Sequence, residues 1–107
     1  MDWNNGAAFC HQYDMNFVSF ETAGEAYFFS KNIPSYNTWV GISDQLVEGK
    51  FTNYYDGSIT VNSLLNWIAG EPNNGGGNEN CALVTTTLLY NDGSCNFATK
   101  VGCMSKF

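Results

Sequence analysis

Residues 71–81 read EPNNGGGNENC. Glu71, Asn73 and Asn74 open the stretch, Gly75 to Gly77 run through its middle, and Glu79 and Asn80 close it before Cys81. Asn91 and Asp92 follow after one strand-like segment. Together these side chains offer carboxylate and amide oxygens, the mixture that calcium takes in sets of about 6–8 ligands. The glycine run lets the backbone turn sharply, so Glu79 can face Glu71. Acids gathered this closely repel one another unless a cation lies between them. A solvated polar loop is the plainer reading of the same residues, and the pattern is not that of an EF-hand. On these residues alone the two readings stand level.

Composition narrows the field. The chain has 107 residues and suits one domain spanning 1–107. Its formal net charge is −6, and its basic residues are the scattered Lys31, Lys50, Lys100 and Lys106. No basic footprint for nucleic acid is present. No apolar run reaches the roughly 18 residues that a membrane helix needs. Met1-Asp2-Trp3 lacks the basic and apolar regions of a signal peptide. Four cysteines in a short, aromatic chain imply two disulfides and an oxidising compartment. Zinc is disfavoured, because Cys10, Cys81, Cys95 and Cys103 form no closely spaced pair. Spacing alone leaves all the pairings of the four open.

Outward from the polar stretch, the pattern is helices first and strands later. Residues 3–13 carry Trp3, Ala7 and Cys10 on one helical face, although Gly6 weakens that helix. Residues 16–20 (NFVSF) read as a short strand. Thr22 and Glu25 form a capping box that opens a second helix, expected to end near Asn32 because Ile33 precedes Pro34. Strands are expected over 38–42, 50–55, 81–87 and 100–107, with a turn at Asp56-Gly57. Tyr54 and Tyr55 cannot both face inward in a strand, so one should be exposed. Between Ser63 and Asn80 little regular pattern exists, and loops of that length usually carry function. The class is α+β.

Catalytic chemistry finds little support. His11 is the single histidine, and no spacing ties it to a nucleophile. There is neither a phosphate loop nor a dinucleotide fingerprint. Trp3, Trp39 and Trp67 read as core residues, with Trp67 bordering the polar loop. The chain is not expected to be an enzyme.

At this point the motifs resemble those of the C-type lectin-like domain over nearly the whole chain. TWVGISD (38–44) is similar to the family's Trp-Ile-Gly-Leu strand, and EGKF (48–51) resembles the Glu-Gly strand that follows. The pieces NW (66–67), GEPNN (70–74) and NENC (78–81) are similar to its long loop, and YND (90–92) with Cys95 to its calcium-binding strand. The resemblance implies a fold of two helices flanking small antiparallel sheets with a long calcium-binding loop. It also implies the disulfides Cys10–Cys103 and Cys81–Cys95.

The implied principal calcium site consists of Glu71, Asn73, Glu79, Asn91 and Asp92, with a cis bond before Pro72. Tyr90 replaces the tryptophan usual in the third motif. Asp44 and Glu48, with Asn74 and Asn80 where acids are common, imply a weaker auxiliary site or none. In such domains two neighbouring sugar hydroxyls coordinate the calcium, donate to Glu71 and Glu79, and accept from the amides of Asn73 and Asn91. The Glu-Pro-Asn order resembles the mannose-type version, which takes mannose, N-acetylglucosamine, glucose and fucose. Galactose-type members carry Gln-Pro-Asp, which exchanges donor and acceptor. The implied partners are glycans on cell surfaces or glycoproteins, the implied setting is extracellular, and avidity would come from homo-oligomers. The alternative is a lectin-like domain for a protein or lipid ligand, with calcium structural or absent.

Overall fold

The computed structural model describes residues 1–32, 37–54, 57–58, 65–70 and 79–105. Ile33, Pro34, Tyr55, Asp56, Glu71, Pro72, Asn73 and Asn74 therefore lie outside the described residues, as do positions 106–107.

A 3-10 turn at Trp3–Asn5 leads into α1 (Gly6–Gln12), so the helix expected over 3–13 is divided at Gly6. A Cβ on Gly6 would lie 2.6 Å from the Phe17 ring. The glycine that weakens the helix locally is what lets Phe17 pack against it. The second helix, α2 (Ala23–Asn32), begins at the expected capping box. The Glu25 amide donates to Thr22 Oγ1 at 3.2 Å, and the Thr22 amide donates back to Glu25 Oε1 at 3.0 Å.

The central strands are β2 (Thr38–Ser43) and β4 (Glu79–Val84). Both alternate between two apolar faces. Trp39, Cys81 and Leu83 pack with Trp3, Ala7 and Phe17 on the α1 side. Val40, Ile42, Ala82 and Val84 pack with Phe20, Ala26 and Tyr90 on the α2 side. The five-stranded sheet runs β3-β2-β4-β5, where β3 is Thr52–Asn53 and β5 is Tyr90–Ser94. Strand β6 (Lys100–Val101) joins β2 in parallel, alongside the antiparallel pairs that the resemblance implies. A separate antiparallel pair joins β1 (Asn16–Phe17) to β7 (Cys103–Met104). Gly102 links the two sheets: its amide donates to Trp39 O, and its carbonyl accepts from the Val18 amide, each at 2.9 Å.

Four expected strands are shorter than their apolar runs. Among the described residues, the run 16–20 is regular strand only at β1, and 50–55 only at β3. The run 81–87 begins earlier, at Glu79, and stops at Val84, where a turn closes with the Thr85 amide donating to Leu89 O at 2.9 Å. The run 100–107 is split at Gly102. Gly57 has φ +74°, as the expected turn requires. Tyr54 is half-exposed, and its ring packs edge-on against Trp3. Both disulfides form as the resemblance implies, Cys10–Cys103 tying α1 to β7 and Cys81–Cys95 tying β4 to the end of β5. No helix among the described residues is long and apolar enough to cross a membrane.

Candidate functional site

Strand β5 delivers Asn91 and Asp92. Its inner edge pairs with β4, which sets Asn91 opposite Leu83 and Asp92 opposite Ala82. Its start is held from the other side by the segment around Trp67. The Tyr90 amide donates to Asn66 O at 3.0 Å, and the Ile68 amide donates to Tyr90 O at 2.8 Å. This is a parallel bridge between Trp67 and Tyr90. At the far end Glu79 pairs with Ser94, and the register slips between Glu79 and Cys81. Ile68 and Glu79, which lie before and after residues 71–78, are thus both anchored to β5, the strand that carries the other two candidate ligands.

Asn91 Oδ1 is buried and has no hydrogen-bond partner among the described residues, a condition it shares with Asn66 Oδ1; of the two, Asn91 is the candidate ligand. Such an atom loses its water without compensation, at a cost of about 1–3 kcal/mol, and is rare in native proteins. A carbonyl-type oxygen left this way, one residue before the buried Asp92 on β5, suits a hard cation, which binds through oxygen. Glu79, Asn91 and Asp92 therefore fit calcium in chemistry. The two acids supply negative charge, and the amide supplies an oxygen that no other described residue uses. Among the described residues no three acids, histidines or cysteines are arranged to hold a metal. The described part of the principal set contributes two acids and an amide.

The auxiliary residues meet one another differently. Asp44 follows β2 and is buried. Its amide donates to Asn80 O at 2.9 Å, and its Oδ2 accepts from the Gly49 amide at 2.8 Å. Gly49 has φ +84°, a conformation that turns its amide back toward Asp44 at little cost for glycine. The end of the Asn80 side-chain amide lies 3.1 Å from Asp44 Oδ1 and 2.8 Å from Glu48 Oε1. With its nitrogen inward it donates to both acids, and with its oxygen inward three oxygens face one another, as around a cation. Crowding of acids is evident at Glu48. Desolvation, then the hydrogen bond and charge of Asp44 and the charge of Asp92, raise its carboxyl above the ordinary value, while the Gly49 backbone acts the other way. The two candidate sets are therefore electrostatic neighbours.

The sequence alone does not point to the role of Asn66. Its Nδ2 donates to the buried Ser30 Oγ at 3.0 Å, and its backbone carbonyl holds the Tyr90 amide. Its position beside Trp67 is the available signal. His11 is exposed on α1.

Comparison with known proteins agrees with this architecture. The family model described as the Lectin C-type domain matches residues 1–105. A hepatic lectin of Gallus gallus is 30% identical over 103 residues, covering 96% of this chain and 49% of its own length. The low affinity immunoglobulin epsilon Fc receptor of Mus musculus is 33% identical over 93 residues, covering 87% of this chain and 27% of its own. The chain thus spans half or less of these two relatives. Among solved structures, the cow C-type carbohydrate-recognition domain of CD23, in the presence of a GlcNAc2Man3 oligosaccharide, superposes with a TM-score of 0.81. It is 26% identical, with 96% of this chain and 78% of that one covered. The curated relatives named here are a lectin and a receptor, in keeping with a chain that is not an enzyme.

Proposed function

The chain belongs to the C-type lectin domain family, and from that premise we propose that it binds carbohydrate through calcium, with mannose-type preference. The buried Oδ1 of Asn91, without a partner among the described residues and next in sequence to the buried Asp92, carries the reading. When bound, calcium supplies a positive centre to which two neighbouring sugar hydroxyls can coordinate. The chain's own residues sort those hydroxyls by hydrogen-bond polarity. Glu79 and Glu71 accept from them, and the amides of Asn91 and Asn73 donate to them. Asp92 adds negative charge to the cation position. Glu71 and Asn73 lie outside the described residues, and their part rests on the Glu-Pro-Asn order.

The partners that suit this site are glycans presented at cell surfaces or on glycoproteins. Two disulfides fit an oxidising, extracellular setting. A single site of this kind binds a monosaccharide weakly, so several copies would supply avidity. The similarity to the cow domain studied with a mannose-containing oligosaccharide supports the sugar class. A protein ligand is the competing reading, and the relative named as an Fc receptor supports it.

Exchanging the polarity of the loop tests the proposal. The double variant Glu71→Gln with Asn73→Asp should move preference from mannose toward galactose, read as the ratio of the two affinities in saturating calcium. An unchanged ratio would contradict the assignment of donors and acceptors.

A further inference from the structure

We propose that Asn66 is a positioning residue of the candidate calcium site, tying the segment that leads to Glu71 and the start of β5 to one face of α2. The assigned ligands come from two places in the chain. The segment around Trp67 leads in sequence to Glu71 and Asn73, and β5 carries Asn91 and Asp92. Both are held to the same helix. The Tyr90 hydroxyl donates to Ala26 O at 2.9 Å. One turn further along α2, the buried Ser30 Oγ accepts from Asn66 Nδ2 at 3.0 Å. The Asn66 carbonyl accepts from the Tyr90 amide at 3.0 Å, which closes a ring of contacts from α2 through Asn66 and Tyr90 back to α2.

Energetics mark this side chain as one kept for position and not for stability. Ser30 Oγ gives its proton to Tyr27 O at 2.9 Å, so it is left to accept, and the nitrogen of Asn66 suits it. The other end of the amide, Oδ1, is buried without a partner among the described residues. A neutral hydrogen bond returns less than an orphaned buried polar atom costs. An apolar side chain of similar volume would therefore serve the fold at least as well, and Ser30 would still have Tyr27 O. What the amide supplies is a fixed point from which the segment runs toward Glu71. Hydrogen bonds behind the ligands of a metal site hold them ready and support its affinity. The inference rests on the proposed function for the identity of the ion and its ligands.

Calorimetric titration of the whole chain with calcium, set beside melting in chelator, tests it. Asn66→Leu should melt in chelator at or above the wild-type temperature, yet bind calcium about tenfold more weakly, the lower end of what loss of a supporting hydrogen bond costs a metal site. Ser30→Ala should weaken calcium binding to a similar extent, and the two changes together should weaken it no further. Gly6→Ala, which strains the fold through Phe17, should keep the wild-type affinity. Wild-type affinity in Asn66→Leu, additive losses in the double variant, or an Asn66→Leu protein that melts below the wild type in chelator would each overturn the inference. Amide hydrogen exchange in chelator reads the same clasp without the ion. The Ile68 and Tyr90 amides should exchange faster in Asn66→Leu, and in Ser30→Ala, while those of β2 and β4 keep their wild-type rates. A wild type that takes no calcium would sink the proposed function. Faster exchange at Ile68 and Tyr90 would then still uphold the clasp, and unchanged exchange would sink it too.

Discussion

The Tyr90 hydroxyl donates to the backbone carbonyl of Ala26 at 2.9 Å, joining positions 64 residues apart. Both residues are fully buried. The bond fixes the start of β5 to α2, one residue before Asn91. Tyr90 stands where related domains have a tryptophan, and its phenol is satisfied within the core. Tyr90→Phe should cost about 1 kcal/mol, the net value of a buried hydrogen bond. Denaturant melts of the two proteins check the loss. An unchanged midpoint would mean that the bond contributes nothing to the anchoring of β5.

Alkaline pH should act on the same residue. Burial pushes the Tyr90 phenol well above its ordinary value of about 10. The unfolded chain then loses its proton first, so the folded state binds more protons and stability falls as pH rises. The contribution is intact below pH of about 10 and declines above it, by up to about 1.4 kcal/mol per pH unit. Melting curves between neutral pH and pH of about 11 should show this slope, and Tyr90→Phe should lack Tyr90's share of it. Equal slopes in both proteins would contradict the burial of the phenol.

Stability and ligand binding should oppose each other at Asn91. Its unpartnered oxygen costs the calcium-free fold about 1–3 kcal/mol, and Asn91→Leu removes that polar atom at similar volume. In chelator the variant should melt at or above the wild-type temperature. Its stabilisation by millimolar calcium should disappear. A variant that is weaker in chelator yet still stabilised by calcium would show that Asn91 serves the fold and not the ion.

Close packing should make Gly6→Ala costly. The added methyl would meet the Phe17 ring at 2.6 Å, and the buried ring has little space to withdraw. Overpacking of this kind costs about 1–3 kcal/mol, against a gain of about 1 kcal/mol in helix propensity. Destabilisation should therefore win in a thermal melt. A stabilised variant would mean that Phe17 repacks freely.

The sequence made some of this legible, and physical reasons explain which parts. The long motif-bearing strands can be read because their apolar alternation and cystines fix both faces, as at Trp39, Cys81 and Leu83. The capping box is local chemistry, and Thr22 and Glu25 suffice to see it. Strand ends depend on partners that lie far away in the chain. Val18 is as β-prone as Phe17, but it bonds to Gly102 and Gly41 outside a regular ladder. The run beyond Val84 continues in β-branched threonines, yet the chain turns there and Leu88 takes φ +66°. Gly6 reads as a helix weakness until Phe17 is placed beside it. An asparagine carries both a donor and an acceptor, so the sequence cannot say which end of the Asn80 amide meets Asp44 and Glu48. It does locate Asn91 and Asp92, which Tyr90 and the Trp67 segment then hold in place.

Calorimetric titration of mannose and then galactose, with millimolar calcium and again with chelator, tests calcium-bridged sugar recognition most directly. Mannose should bind in calcium more tightly than galactose, and its binding should vanish with chelator. Equal mannose binding with and without calcium, or none in saturating calcium, would contradict it.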